Sequence, residues 1–119
     1  MSNNVLEDLY QVVLDRKAQY ASSGESADEI KKKSYTCYLF SQGENKILKK
    51  CGEECSEVII AAKNGIKEDT IGEISDLLYH LVVMMSNEGI TPEEVEAELA
   101  RRHQKQGNLK TFHQVDHNT

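Results

Sequence analysis

The sequence predicts an all-α protein, a bundle of about four main helices. Three observations carry that prediction. Apolar residues recur at three- and four-residue spacing through long segments, and strand-like alternation is nowhere sustained. The single proline, Pro92, follows Thr91 as a helix cap and first turn. At 119 residues the chain suffices for one domain with one core, spanning 1–119, and is too short for two.

The first helix is expected over 4–20, where Val5, Leu6, Leu9, Val12 and Val13 share a face. The polar stretch "ASSGESADEIKKK", 21–33, reads as a mobile linker with at most a short helical turn. "SYTCYLFSQGEN" then leads into a second helix over 45–63, closed by Asn64 and Gly65. A third runs over 68–87 and stops near Gly89, and a fourth over 92–106. Short connections make the last three antiparallel neighbours. The tail, 107–119, is polar and without periodicity, and no internal repeat is present.

Twenty acidic residues against 14 basic ones leave a net charge of -6. That balance argues against a nucleic-acid partner, which calls for a basic face. It leaves room for a phosphorylated small molecule bridged by a divalent cation. The longest apolar run, "LLYHLVVMM", is half a membrane span and contains His80, and no charged-then-apolar leader opens the chain. A cytoplasmic protein without a membrane partner is expected. Cys37, Cys51 and Cys55 are an odd number, with no second pair to complete a zinc site. They read as inert core thiols in a reducing compartment.

The stretch "KKCGEECSEVIIAAKN" crowds Glu53, Glu54 and Glu57 into little more than one helical turn. Like charges at that spacing cost roughly a few tenths of a kcal/mol per pair. On a helical wheel Ile47, Leu48, Cys51, Cys55, Val58, Ile59 and Ala62 form the apolar arc, and Glu54 and Glu57 lie along its border. The third helix repeats the arrangement. Ile74, Leu77, Leu78, Leu81 and Met85 are the apolar arc, and Glu73, Asp76 and His80 line its edge. Antiparallel packing would bring Glu54 and Glu57 opposite Glu73 and Asp76.

Unneutralised, such a cluster is destabilising. A hard cation relieves it, and an all-oxygen donor set suits Mg²⁺ or Mn²⁺. Lys46 and Lys50, one turn apart, are placed to meet phosphates or to pair with the acids. His80, one turn past Asp76, either orients a carboxylate, touches a substrate or sits as a satisfied half-buried side chain. Ile60 lies opposite the main arc, and Val82 and Val83 fall outside the strip one partner helix could cover. Helices apolar on more than one side need more than one neighbour, which points to a homodimer or larger assembly.

Glu54-x-x-Glu57, fifteen intervening residues, then Glu73-x-x-Asp76 resembles the metal-binding motif of the all-α nucleoside triphosphate pyrophosphohydrolases, the MazG-like superfamily. The flanks are more specific. "SYTCYLFSQGENKILKKCGEECSEVIIAAKN" followed by "EISDLLYHLVVMM" resembles the phosphoribosyl-ATP pyrophosphohydrolase family, over about residues 34–85. The stretch before Ser34 is longer and more polar than that family leads one to expect.

The resemblance implies hydrolysis of phosphoribosyl-ATP to phosphoribosyl-AMP and pyrophosphate, the second step of histidine biosynthesis. It implies Mg²⁺ held by Glu54, Glu57, Glu73 and Asp76, and substrate contacts from Ser34, Tyr35 and Thr36. Glu53 and Glu57 compete for the role of general base. A stand-alone enzyme is expected, passing its product to a separate cyclohydrolase. A house-cleaning nucleotide hydrolase would share the four acids. A di-iron bundle would want Glu-x-x-His pairs, which neither acid pair supplies. A helical interaction module would leave the acid crowding unexplained.

Overall fold

The computed structural model describes residues 4–104. Six helices follow one another: α1 (Val5–Ser23), α2 (Ala27–Lys33), α3 (Tyr35–Gln42), α4 (Glu44–Asn64), α5 (Lys67–Glu88) and α6 (Pro92–His103). Among the described residues there is no strand, and no helix is long and apolar enough to cross a membrane. The four expected helices are α1, α4, α5 and α6, their ends displaced by at most three residues. The polar tail, 107–119, lies outside the described residues.

Two helices stand outside the four expected, one of them where at most a short helical turn was. Over 21–33 the chain first extends α1 to Ser23 and then forms α2, in place of a linker. Ser26 caps α2 by accepting from the Glu29 N–H, and the acids Asp28 and Glu29 open it. Lys31, Lys32 and Lys33 close it, so both ends match the helix dipole. One buried residue, Ile30, anchors it. A seven-residue helix with a single apolar contact leaves no periodicity to read. Helix α3 arises from "YTCYLFSQ", with Cys37, Leu39 and Phe40 buried.

Ser34 belongs to both short helices. Its N–H donates to the Ile30 carbonyl at the end of α2, and its hydroxyl accepts from the Cys37 N–H at the start of α3. Gly43 alone joins α3 to α4, with φ 88° and ψ -178°, a conformation open essentially to glycine.

The core forms where α1 and α3 meet the start of α4 and the end of α5. Tyr10, Val13, Leu39, Phe40, Ile47, Val82 and Val83 fill it, with Leu6, Leu9, Leu14, Tyr79 and Met84 packed around them. Val82 and Val83, expected outside the packed strip, are instead among its most buried members.

The α4–α5 seam is correspondingly rotated from the expected arcs. Covered positions on α4 include Ile47, Lys50, Cys51, Glu54, Val58 and Ala61; those on α5 include Thr70, Glu73, Leu77, His80, Leu81 and Met84. Both sets keep helical spacing. Leu48, Cys55, Ile59 and Ala62 from the first arc, and Ile74 and Leu78 from the second, face outward. Cys55 is therefore exposed and not a core thiol, while Cys37 is buried and Cys51 half-buried; all three are free.

Candidate active site

The seam carries acids into a part of the hairpin that an apolar stripe would ordinarily occupy. Glu54 comes from the middle of α4, Glu73 and Asp76 from successive turns of α5. Each of the three offers a carboxylate oxygen within 4.8 Å of the others. Glu57 falls outside that triad, but its charge reaches Glu73. Burial first, and then the negative charges of Asp76, Glu57, Glu54 and Asp69, raise the Glu73 carboxyl above its ordinary value.

Two lysines flank the acids on α4. The Lys50 ammonium is 3.3 Å from a Glu53 oxygen and 3.6 Å from a Glu54 oxygen. Burial works against its charge, but the bond to Glu53 and the proximity of Tyr35 and Glu54 outweigh it, and the lysine titrates above its usual value. Glu53 is exposed and also lies 4.0 Å from Lys49. Lys46 is half-buried and makes no ion pair among the described residues.

His80 is nearly enclosed, 5% exposed, and both ring nitrogens are engaged within the protein. Nδ1 lies 2.8 Å from the Asp76 carbonyl, to which it can only donate, so in the neutral ring Nε2 accepts from the Tyr35 hydroxyl at 3.1 Å. The ring edge is also 4.0 Å from a Glu54 oxygen. Tyr79 stacks edge-on against His80 at 4.9 Å between centroids, and its hydroxyl pairs with that of Thr36. Thus Tyr35 and Thr36 both reach α5 from the start of α3. Ser34, the third residue of that group, spends its hydroxyl on the α3 cap.

Tyr79 escaped the sequence reading. It sits one position from His80, a quarter-turn off the acid stripe, and only the fold reveals that it meets Thr36, 43 residues earlier.

Twice the ~2.0–2.6 Å metal–oxygen distance of hard cations spans the separation within the triad. The donor set is all oxygen, because His80 has no nitrogen to spare. The residues present therefore fit a hard divalent cation.

A helical bundle that seats carboxylates from two antiparallel helices in its own seam, beside a lysine, defines an all-α, MazG-like protein. The chain belongs to the phosphoribosyl-ATP pyrophosphohydrolase family, which it matches over residues 20–103, and it is a hydrolase. It is 50% identical over 102 residues to the phosphoribosyl-ATP pyrophosphatase of Pelotomaculum thermopropionicum, covering 86% of this chain and 94% of that protein. Identity to the phosphoribosyl-ATP pyrophosphatase of Clostridium novyi is 47%, over 90% of this chain and 88% of the relative. The histidine biosynthesis bifunctional protein HisIE of Lactococcus lactis is 46% identical over 93% of this chain, a match that covers 48% of the longer protein.

Proposed function

We propose that the protein hydrolyses phosphoribosyl-ATP to phosphoribosyl-AMP and pyrophosphate, in the second step of histidine biosynthesis in the cytoplasm. The observation that carries this reading beyond family membership is the meeting of Glu54, Glu73 and Asp76 within 4.8 Å, next to Lys50. Glu54, Glu73 and Asp76 would hold Mg²⁺, or Mn²⁺ in its place, with Glu57 as a further oxygen donor. The cation, when bound, would neutralise charge on the triphosphate as the bond between its α- and β-phosphates breaks.

The chain's own groups do the rest. Lys50, and Lys46 one turn before it, offer positive charge to phosphate oxygens. Glu53, the neighbouring acid outside the ligand set, takes the proton of the attacking water. Tyr35 and Asp76 hold His80 between them, so His80 acts as a strut behind the acids.

The same reading includes a homodimer. Leu48 and Ile59 share a face of α4, and Ile71, Ile74 and Leu78 share a face of α5; with Ile66 between the two helices, each is more than a third exposed. An apolar face of that extent suits burial against a second copy.

The test is hydrolysis of phosphoribosyl-ATP with Mg²⁺, separating pyrophosphate from orthophosphate, beside ordinary ATP and a nucleotide panel. Pyrophosphate release with a strong preference for phosphoribosyl-ATP is expected. Orthophosphate alone, or equal turnover of ATP, overturns the reading.

A further inference from the structure

A cavity of about 360 Å³ opens between α1, α2 and α3. The volume lies in the range that holds a small ligand. Arg16, Gln19 and Tyr20 of α1 line it, with Lys33 and Ser34 at the junction of α2 and α3. Buried Ile30 and Cys37 also line it.

Ser34 and Lys33 have partners within the fold, but one cationic side chain here does not. Among the described residues the Arg16 side chain makes no ion pair and no hydrogen bond; only its carbonyl is used, accepting from the Cys37 thiol at 3.3 Å. Lys33 is held 2.6 Å from Glu25, another lining residue, and its side chain is 68% exposed. A guanidinium left unpaired in a concave site is suited to a phosphate, which it can grip with two parallel N–H bonds.

Tyr35 and His80 link the cavity wall to the acid cluster. Ser34 lines the cavity, and the next residue, Tyr35, bonds to His80, whose ring is 4.0 Å from Glu54. Phosphoribosyl-ATP is anionic at both ends: a triphosphate on one ribose and a phosphomonoester on the other. The acids, through a cation, and Lys50 account for the triphosphate only.

We propose that the α1–α2–α3 cavity receives the phosphomonoester at the ribosyl end of the substrate, with Arg16 as its principal ligand. The proposal rests on the reading of phosphoribosyl-ATP as substrate. Arg16 then separates phosphoribosyl-ATP from ATP, which shares the triphosphate and lacks the second phosphate.

The experiment titrates phosphoribosyl-AMP, AMP and inorganic phosphate into the protein in chelator, so that the acids take no part. The parent should bind phosphoribosyl-AMP about tenfold or more tightly than AMP, as a charge-assisted bond allows. Arg16→Gln should lose that preference and keep its affinity for AMP, while Arg16→Lys should fall between. A parent without the preference, or an Arg16→Gln that retains it, overturns the proposal. Inorganic phosphate binding as tightly as phosphoribosyl-AMP, and through Arg16, overturns the substrate assignment. If Arg16→Gln fails to fold by circular dichroism, the Arg16→Lys arm decides alone. Failure of the parent to hydrolyse phosphoribosyl-ATP in the activity assay counts against the proposed function, and is read separately from these titrations.

Discussion

The Tyr35 hydroxyl stands 3.1 Å from Nε2 of His80, joining the first residue of α3 to the middle of α5. With Nδ1 committed to the Asp76 carbonyl, this bond fixes the tautomer of a nearly buried ring. Tyr35→Phe removes the donor and leaves Nε2 without a partner. Stability should fall by about 1–3 kcal/mol, and kcat should fall more than KM rises, because the acids lose their strut. Chemical denaturation and steady-state kinetics on the same variant check both. A change confined to KM would show that Tyr35 serves substrate binding instead.

Glu73 bears the strain of the acid cluster. Held above the usual carboxylate range, it binds its proton more tightly in the folded chain than in the unfolded one. Its contribution to stability is therefore present below the unfolded pKa and is lost as pH rises through the folded value. At neutral pH, in chelator, Glu73→Gln should melt above the parent, and the gap should close as pH falls through the carboxylate range. Mg²⁺ should raise the parent's melting temperature by mass action and that of the variant much less. Thermal unfolding of both proteins across pH, with and without Mg²⁺, is the measurement. A variant less stable than the parent in chelator would make these acids an ordinary surface.

The roles given to Glu53 and Glu57 separate in two variants. Glu53→Gln should lower kcat by on the order of a hundredfold, the typical weight of a general base, and leave the Mg²⁺-induced rise in melting temperature intact. Glu57→Gln should weaken that rise. The opposite pattern exchanges the two assignments.

Leu39, fully buried where α3 meets α1, holds the core against which the hairpin is anchored. Leu39→Ala should cost about 2–5 kcal/mol by transfer and cavity terms. Urea unfolding gives the figure, and a loss below 1 kcal/mol would mean that the site collapses around the gap.

The outward face is tested at Ile59, 60% exposed on α4. Light scattering at micromolar concentration should give a dimeric mass for the parent and a monomeric one for Ile59→Lys, with helical content retained. A monomeric parent refutes the assembly.

What the sequence made legible was local. Thr91 with Pro92, and Asn64 with Gly65, mark helix ends through groups within four residues of each other, and the structure builds a capping box and a left-handed Gly65 there. The acid pairs at Glu54 and Glu73 were equally readable, since i, i+3 spacing needs no knowledge of the fold. What stayed hidden was the rotation of each helix about its axis. Ile47 and Leu48 are both apolar, and only packing against α3 decides that Ile47 is buried while Leu48 is 45% exposed. Tyr35 and His80 are 45 residues apart, and no pattern within either segment pairs them. Helix α2, with one anchoring isoleucine, lay below the length at which periodicity carries a signal.

On α5, no residue before His80 is buried, although Glu73 and Asp76 lie in that stretch. The acid-bearing end of the hairpin thus carries only half-buried and exposed side chains on α5. If a second copy supplies the missing cover, catalytic power becomes a collective property. Specific activity then falls on dilution below the dissociation constant of the pair and returns on concentration. A cell whose supply of this protein lies near that constant would lose more than half of its capacity on halving the supply.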